Sequence, residues 1–330
     1  MQKKVAVVGA GSWGTTVAHL ATHNCPTLLW ARDAELAETI DRDHRNDRYL
    51  AGFDLHPDLR ASSDLEDAVG GADVVVMGVP THGFRDTLRE VAKHIRPWVP
   101  VVSLAKGFEV ETKHRMSQIC HEELPGHPFA VLTGPNLAKE ILAGFAAAAV
   151  VATEDEIIAN ELRRCFRTEL FRVYINPDVC GSEVGGALKN VVAIAAGMAD
   201  GLGAGDNTRA AVITRGLAEI SRLGVALGGQ PATFAGLAGM GDLVATCISP
   251  QSRNRYVGEQ LGLGRSIAEI TEEMNQVAEG VKACQVAVEL GEELGVDMPI
   301  AAEVAGVCYE GHTAEEAYRG LLRRYENPRE

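Results

Sequence analysis

The lysine at position 189 stands out because the surrounding sequence is almost entirely apolar. Lys189 and Asn190 are the only polar side chains in residues 184–197. A helix that is apolar on nearly every side is a buried one, and burial lowers the pKa of a lysine toward the range of a general acid. Reduction of a carbonyl by hydride needs such a proton donor for the developing alkoxide. The pattern therefore predicts Lys189 as the proton donor. A lysine that extends its ammonium to water is the alternative.

Three other positions carry side chains suited to the same chemistry. Lys106 directly follows the apolar segment 101–105, at the carboxyl end of a predicted parallel strand, where ligands bind. It could also be a surface lysine. Asp242 lies between glycines and could orient a lysine or a substrate hydroxyl, or cap a helix. The segment QSRNR at residues 251–255 combines amide, hydroxyl and guanidinium groups, which suit a phosphate, although a polar loop with a helix start has the same composition.

A glycine-rich turn follows the first apolar segment. Gly9, Gly11 and Gly14 match G-x-G-x-x-G between a predicted strand at residues 5–8 and a predicted helix at about residues 13–23. In this context Gly9 permits the turn, Gly11 lets a pyrophosphate approach, and Gly14 allows close helix–strand packing. The motif predicts a dinucleotide site; an ordinary βα turn is the alternative.

The end of the second predicted strand bears on the type of dinucleotide. NAD sites usually have an acidic residue there for the ribose hydroxyl. Here Arg32 follows the strand, and a guanidinium could bind the 2′-phosphate of NADP, unless it is simply solvated. We expect Asp33 to cap the next helix.

The elements that position these residues follow two patterns. Short apolar segments at residues 5–8, 27–30, 73–79, 99–105, 129–133 and 146–152 alternate with helical segments. After residue 177 helices dominate, at residues 181–201, 208–227, 266–275, 279–294 and 313–322. The sequence therefore predicts an α/β fold, with a Rossmann-type doubly wound parallel sheet in residues 1–177. An all-helical substrate-binding and catalytic domain is predicted for residues 178–330, and we expect a cleft between the domains.

Charge, cysteine spacing and hydrophobicity argue against several other classes of protein. The formal charge of −14 disfavours nucleic acid as a partner. The seven cysteines have no C-x-x-C spacing, and we expect no metal. The N-terminal segment lacks the pattern of a signal peptide, and the longest apolar run is too short to cross a bilayer. We therefore expect a soluble cytoplasmic protein without an integral membrane segment.

The motifs together resemble a known family. They are GAGSWGTT at Gly9, AKGFE at Ala105, TGPNLAKE at Thr133, FRVYINPD at Phe171, GGALKNVVAIAAGMADG at Gly185, ITRGLAEISRLG at Ile213, GMGDLVATC at Gly239, QSRNR at Gln251 and VAEG at Val277. In this order, over nearly the whole chain, the sequence resembles the bacterial-type NAD(P)-dependent glycerol-3-phosphate dehydrogenases. The resemblance implies interconversion of dihydroxyacetone phosphate and sn-glycerol 3-phosphate with NADP(H) or NAD(H). It also implies a supply of glycerol phosphate for phospholipid synthesis, and a homodimer.

The resemblance assigns roles to individual positions. It implies that Lys189 is the general acid/base and that the supporting catalytic residues are Lys106, Asn190, Asp242 and Thr246. The implied substrate ligands are Lys106, Gly134, Asn136, Lys189, Asp242, Ser252, Arg253 and Asn254, with Arg253 and Asn254 at the phosphate. Besides the glycines, the implied cofactor contacts are Ser12, Trp13, Arg32, Lys106, Ala138, Arg253, Val277 and Glu279. Asn136 departs from the family, which commonly has Ser or Thr there; its carboxamide can still form hydrogen bonds.

Two rival functions can be weighed on the residues alone. A dehydrogenase for β-hydroxy acids could share the architecture, but the QSRNR segment suits a phosphate better than a lone carboxylate. A non-catalytic NADP(H) sensor would need only the glycine loop, so it leaves Lys106, Lys189 and Asp242 without a role.

Overall fold

The computed structural model describes residues 2–274 and 278–324, except the side chains of residues 322–324. The chain forms two compact units. Unit 1 comprises Met1–Ala105 and His114–Val179, and unit 2 comprises Lys106–Lys113 and Cys180–Glu330. Lys106 and the seven residues after it therefore group with the helical unit, although they follow a strand of the sheet.

Unit 1 is built on an eight-stranded sheet with the order β3-β2-β1-β4-β5-β6-β7-β8. All neighbouring pairs are parallel except β6 and β7. The reversal of strand order on either side of β1 is the Rossmann arrangement, so the predicted fold class is confirmed. The strands are β1 (Val5–Val8), β2 (Thr27–Trp30), β3 (Arg60–Ser62), β4 (Val74–Met77), β5 (Val101–Ser103), β6 (Phe129–Thr133), β7 (Ala147–Ala152) and β8 (Phe171–Asn176).

The central strands form because their residues are apolar on both faces. Every residue of β1 and β4 is buried, and helices cover the sheet as such strands require. The apolar patterns did not predict β3 or β8. In β8, for example, buried and exposed side chains alternate at its start, and Tyr174 is exposed. A strand of this kind lacks the continuous apolar run on which the prediction depended.

Helices of unit 1 begin at well-defined caps. The predicted cap Asp33 is confirmed, because its carboxylate accepts a hydrogen bond from the backbone N–H of Leu36 at 3.1 Å. Asp155 caps its helix in the same way. The helices are α1 (Ser12–Thr22), α2 (Ala34–Asp43), α3 (Asp47–Leu50), α4 (Leu65–Gly70), α5 (Phe84–Ala92), α6 (Met116–Glu123), α7 (Ala138–Leu142) and α8 (Glu156–Phe166).

The described residues of unit 2 form helices that are joined by loops. Its α-helices are α9 (Val179–Gly201), α10 (Asp206–Ala226), α11 (Pro231–Ala235), α12 (Asp242–Ile248), α13 (Arg253–Gly262), α14 (Ile267–Glu273), α15 (Glu279–Leu294), α16 (Pro299–Tyr309) and α17 (Ala314–Arg324). A π-helical turn, Leu237–Gly241, leads directly into α12. Helices α11, α12, α13 and α16 were not among the predicted helices.

The long helix α9 forms the centre of unit 2. It is apolar and long enough to cross a membrane by length and composition, but 89% of its most apolar window is buried inside the protein. Gly197 on α9 and Gly258 on α13 bring these two helices into backbone contact. A Cβ atom at Gly197 would collide with the carbonyl oxygen of Arg255, and one at Gly258 with that of Ile194. The close approach holds the QSRNR segment, at the start of α13, against α9.

Candidate active site

The ammonium group of Lys189 is enclosed within unit 2. Its side chain is only 7% exposed. Nζ donates hydrogen bonds to Oδ1 of Asp242 at 2.6 Å and to the hydroxyl of Thr246 at 2.6 Å. The prediction of a buried lysine is therefore confirmed, and the alternative of a lysine reaching to water is wrong.

Asp242 joins two lysines through its two carboxylate oxygens. Oδ1 binds Lys189, and Oδ2 accepts a hydrogen bond from Nζ of Lys106 at 2.7 Å. Asp242 is the first residue of α12, whose N-cap is Gly241. The carboxylate of Asp242 therefore binds lysines, and the N-cap position of α12 belongs to Gly241. Thr246, one turn later, donates its hydroxyl hydrogen to the backbone carbonyl of Asp242 at 2.6 Å.

Burial and charge act together on the acidities of this cluster. Burial lowers the pKa of Lys189 to about 8, and the positive charge of Lys106 acts in the same direction, while Asp242 opposes the shift. Burial pushes the pKa of Asp242 upward, but the two ammonium groups outweigh it, so the pKa lies below its usual value. The three groups together carry one net positive charge when both lysines are protonated. Such a cluster can donate a proton and stabilise a developing oxyanion.

A hydrogen-bonded relay of two asparagines adjoins the lysine cluster. The backbone N–H of Gly280 donates to Oδ1 of Asn254 at 2.9 Å, and Nδ2 of Asn254 donates to Oδ1 of Asn190 at 2.9 Å. Nδ2 of Asn190 then donates to the backbone carbonyl of Lys106 at 3.1 Å. Sequence reasoning singled out Asn190 and Asn254 separately, but not their contact. It missed Gly280, although this glycine closes the VAEG motif.

The residues of the QSRNR segment lie in different environments. Ser252 caps α13, since its hydroxyl accepts a hydrogen bond from the backbone N–H of Arg255 at 3.2 Å. Arg255 forms an ion pair with the buried carboxylate of Asp200 at 2.8 Å. Arg253 keeps exposed surface. The partial burial of its side chain lowers its pKa, and the negative charge of Glu279 acts in the opposite direction. Arg255 is thus engaged within the protein, and Arg253 is the arginine that keeps accessible surface.

The glycine loop of unit 1 has the geometry expected of a pyrophosphate site. Gly9 has a φ of +116°, and a Cβ there would lie 2.7 Å from the carbonyl oxygen of Gly78. A Cβ at Gly14 would collide with the carbonyl oxygen of Gly9. At Gly11, by contrast, a Cβ would meet no atom within 4 Å, and α1 begins at the next residue. The loop therefore leaves open space at a helix N-terminus, where N–H groups attract an anion.

The loop is anchored by Asn46, which sequence reasoning missed. This fully buried side chain donates hydrogen bonds from Nδ2 to the carbonyl of Ala10 and to the hydroxyl of Thr15, both at 2.9 Å. Its position in the polar segment before α3 gives no signal of such a role.

The other predicted cofactor and substrate positions of unit 1 are distributed around its loops. Ser12 begins α1, and its hydroxyl donates to the carbonyl of Tyr49 at 3.4 Å. Arg32 is exposed just after β2, and no hydrogen bond or ion pair is found for it among the described residues. Gly134, with a φ of +126°, follows β6, and Ala138 begins α7.

Several buried polar atoms in the described part of unit 1 lack a hydrogen-bond partner. They include the indole Nε1 of Trp13 and both carboxamide atoms of Asn136. An unsatisfied buried polar group is uncommon, and a bound ligand is one explanation for it. Together with the open space at Gly11, these groups fit a bound dinucleotide and substrate. In unit 2, Glu279 begins α15, while the predicted contact Val277 lies outside the described residues.

Comparison with known proteins gives a consistent answer along the chain. Residues 4–159 match the family model of the NAD-dependent glycerol-3-phosphate dehydrogenase N-terminus, and residues 178–319 match that of the C-terminus. A glycerol-3-phosphate dehydrogenase [NAD(P)+] of Sphingopyxis alaskensis is 57% identical over 98% of this chain and 97% of its own. One of Mycobacterium tuberculosis is 56% identical over 97% of this chain and 94% of its own.

Solved structures agree with these sequence relatives. The crystal structure of glycerol-3-phosphate dehydrogenase from Coxiella burnetii has a TM-score of 0.93 and 33% identity, and the match covers 98% of this chain and 99% of that one. The Rossmann-type unit, the helical unit and the paired lysines therefore define an NAD(P)-dependent oxidoreductase that acts on a CH–OH group. More specifically, the chain belongs to the family of NAD-dependent glycerol-3-phosphate dehydrogenases.

Proposed function

We propose that the chain interconverts dihydroxyacetone phosphate and sn-glycerol 3-phosphate, with Lys189 as the general acid for reduction of the ketone. The observation that carries this assignment is the buried Lys189 ammonium, held by Asp242 and Thr246 at 2.6 Å each. Burial lowers its pKa to about 8. A general acid is most effective when its pKa lies near the operating pH, and this value is close to neutral. Lys189 would donate the proton to the carbonyl oxygen, while a nicotinamide cofactor held by the glycine loop would supply the hydride for the carbonyl carbon.

The remaining residues of the cluster have supporting roles in this proposal. Lys106 adds a second positive charge beside the developing alkoxide, at a position set by its hydrogen bond to Asp242. Asp242 keeps both ammonium groups oriented, and Thr246 accepts one of the Lys189 hydrogens. Asn190 positions the substrate oxygen with its carboxamide. In the reverse reaction, neutral Lys189 accepts the hydroxyl proton of glycerol phosphate.

For the phosphate of the substrate we propose Arg253, supported by the neighbouring Ser252 and Asn254. An exposed arginine at the first turn of a helix offers a planar fork near the helix N-terminus, and both features favour a phosphate. Binding of this remote group would orient the ketone for reaction. Gly134 and Asn136 complete the proposed substrate site, and the unsatisfied carboxamide of Asn136 supports its inclusion.

We assign the dinucleotide to the glycine loop of unit 1. Gly9, Gly11 and Gly14 would admit the pyrophosphate, and Arg32 would bind the 2′-phosphate of NADP(H). The proposed further contacts, which rest on the family, are Ser12, Trp13, Lys106, Ala138, Arg253, Val277 and Glu279.

The cellular setting of the proposal rests on family membership. We propose a cytoplasmic homodimer that supplies glycerol phosphate for phospholipid synthesis. Sedimentation of the purified chain tests the dimer, and a monomer at micromolar concentration would contradict it.

One assay tests the activity itself. NADPH absorbance is followed with dihydroxyacetone phosphate, then with unphosphorylated dihydroxyacetone and with β-keto acids, and the series is repeated with NADH. We expect the phosphorylated ketone to have by far the highest kcat/KM. Equal or faster reduction of a keto acid would refute the substrate assignment.

A further inference from the structure

Both carboxylate oxygens of Asp33 are engaged by groups of unit 1. Oδ1 accepts the backbone N–H of Leu36 at 3.1 Å, and Oδ2 forms an ion pair with Nη2 of Arg48 at 2.8 Å. The hydrogen bond from Leu36, followed by that from Arg48, holds the pKa of Asp33 below its usual value. The carboxylate is therefore ionised at neutral pH, and Arg48 is the cation that compensates it.

Asp33 lies where a Rossmann-type sheet distinguishes between dinucleotides. The backbone N–H of Gly9 donates to the carbonyl of Trp30 at 3.0 Å, so β2 ends beside the glycine loop, and Asp33 follows three residues later. An acidic residue after this strand accepts the ribose hydroxyl of NAD, whereas an arginine accommodates the 2′-phosphate of NADP. This chain has both types in succession, because Arg32 precedes Asp33.

The short helix α3 holds Arg48 at the same edge of the sheet. Its chain is tied to the glycine loop on both sides of Arg48. Nδ2 of Asn46 donates to the carbonyl of Ala10 at 2.9 Å, and the carbonyl of Tyr49 accepts the hydroxyl of the first residue of α1 at 3.4 Å. From between these two anchors the guanidinium of Arg48 reaches Asp33. The ion pair thus connects the glycine loop segment with the end of β2.

We propose that Arg48 is a specificity-determining residue: it withdraws the carboxylate of Asp33 from the adenosine ribose, so that the 2′-phosphate of NADP(H) is accommodated there. The inference rests on the proposed function, in which the glycine loop binds the dinucleotide. Together Arg32, Arg48 and Asp33 carry one net positive charge, which favours a phosphate. Without Arg48 their net charge is zero, and Asp33 is free to accept the ribose hydroxyl of NAD(H).

The exposure of this ion pair separates a role in selectivity from a structural one. The side chains of Arg48 and Asp33 are 50% and 40% exposed. An exposed ion pair contributes little to stability, so the loss of Arg48 should leave the fold intact. Arg48 acts through Asp33 and is a positioning residue, and its effect should appear in the choice between the two dinucleotides.

Arg48→Gln tests the proposal directly. The dissociation constants of NADPH and NADH are measured by fluorescence titration without substrate, and kcat/KM is measured for each. We expect the ratio of the NADPH constant to the NADH constant to rise roughly 5- to 30-fold, with NADH bound as tightly as in the wild type or more tightly. The thermal unfolding midpoint should stay unchanged. An unchanged ratio would overturn the proposal.

A double-mutant cycle tests whether Arg48 acts through Asp33. Asparagine at position 33 keeps an oxygen that can cap α2, but it carries no charge. In an Asp33→Asn background, Arg48→Gln should therefore change the ratio of dissociation constants by about twofold or less. If Arg48→Gln changes the ratio equally in both backgrounds, Arg48 acts independently of Asp33 and the proposal is wrong.

Arg45→Gln is the matched control from the same stretch of chain. Arg45 forms an ion pair with Asp47 at 3.2 Å, and its side chain is 45% exposed. Its loss removes the same charge as Arg48→Gln but leaves Asp33 paired, so the ratio should not change. A shift of equal size in both variants would show that the ratio follows the overall charge, which would also refute the proposal.

The same titrations distinguish this inference from the proposed function. If Arg32→Asp leaves the ratio unchanged while the cycle connects Arg48 with Asp33, the assignment of Arg32 fails and that of Arg48 stands. A folded wild-type protein that binds neither NADPH nor NADH would refute the proposed dinucleotide site, and the inference with it.

Discussion

The Nζ atom of Lys189 donates a hydrogen bond to Oδ1 of Asp242 over 2.6 Å, inside a part of unit 2 that almost excludes solvent. Because Lys106 occupies the other oxygen of the same carboxylate, its positive charge acts on both Asp242 and Lys189. One carboxylate cannot neutralise two ammonium groups. The excess positive charge makes loss of a proton from Lys189 easier, and it favours negative charge on a nearby oxygen.

Replacement of Lys189 by methionine should abolish most turnover and leave the fold intact. Methionine approximates the volume of the lysine stem, so packing on α9 should survive. Proton transfer by a positioned side chain contributes about 10²–10⁴-fold, and we expect kcat to fall by that factor. The measurement is kcat beside a fluorescence titration of NADPH. A variant with Met at 189 that binds NADPH and turns over within a few-fold of the wild type would exclude Lys189 as the acid.

The pH dependence of the wild type provides a second measurement on Lys189. Its pKa is lowered to about 8, and reduction requires the protonated form, so kcat/KM for reduction should fall as pH rises through about 8. Oxidation of glycerol phosphate requires the neutral amine and should rise over the same interval. The Lys189→Met variant should lack both limbs.

Asp242→Asn should move the high-pH limb of reduction to lower pH. Without the carboxylate, Lys106 and Lys189 repel each other and lose their shared acceptor, so the pKa of Lys189 should fall further. Removal of one partner of a buried ion pair should also reduce the free energy of unfolding by about 3–5 kcal/mol. The measurements are the pH profile of kcat/KM and urea unfolding.

Asp200→Asn is the matched control for that variant. The side chain of Asp200 is only 6% exposed, and its carboxylate is also bound by two cationic side chains, Arg209 at 2.7 Å and Arg255 at 2.8 Å. Its replacement should lower stability as well, but it should leave the position of the pH limb unchanged. A limb that moves equally in both variants would show that the shift follows from general destabilisation.

Arg32→Asp should reduce the use of NADPH far more than the use of NADH. Arg32 is proposed to bind the 2′-phosphate, and a charge-assisted hydrogen bond of about 1.5–3 kcal/mol corresponds to roughly 10–150-fold in selectivity. The introduced carboxylate would also repel the phosphate. The measurement is the ratio of kcat/KM for the two cofactors. An unchanged ratio would remove Arg32 from the dinucleotide site.

Glu219 should make the stability of the protein depend on pH. Its carboxylate accepts the backbone N–H groups of Ile300 and Ala301 at 2.9 Å each, in the first turn of α16. Burial raises its pKa from 4.5 to about 7, although those two N–H groups oppose the shift. The raised pKa means that its contribution to stability is complete below pH 4.5 and is lost as pH rises through about 7. The difference is on the order of 3 kcal/mol.

Glu219→Gln should remove this contribution to the pH dependence of urea unfolding. The amide does not titrate, so the free energy of unfolding should fall less steeply with pH than in the wild type. Replacement of the exposed Glu272 by Gln is the control and should keep the wild-type slope. Parallel slopes for wild type and the Glu219 variant would mean that folding does not raise the pKa of Glu219.

The sequence by itself determined the features that depend on neighbouring residues. The continuous apolar run of β1, the spacing of Gly9, Gly11 and Gly14, and the nearly all-apolar segment around Lys189 indicated a Rossmann-type sheet, a dinucleotide loop and a buried lysine. These signals are local, because strand and helix periodicity and turn geometry arise within a few residues of chain. The family motifs predicted the remaining site positions without showing how their side chains are arranged.

Only the tertiary structure decided which of those side chains meet. Lys189 and Asp242 are 53 positions apart, and Asn190 and the carbonyl of Lys106 are 84 apart. Their contacts depend on how α9, α12 and the segment after β5 pack, which no local pattern encodes. The antiparallel pairing of β7 with β6, the anchoring of the glycine loop by Asn46 and the hydrogen bond between Asn254 and Asn190 have the same origin. Each requires groups from distant segments to satisfy one another's hydrogen bonds after burial, so it is determined only when the whole unit has folded.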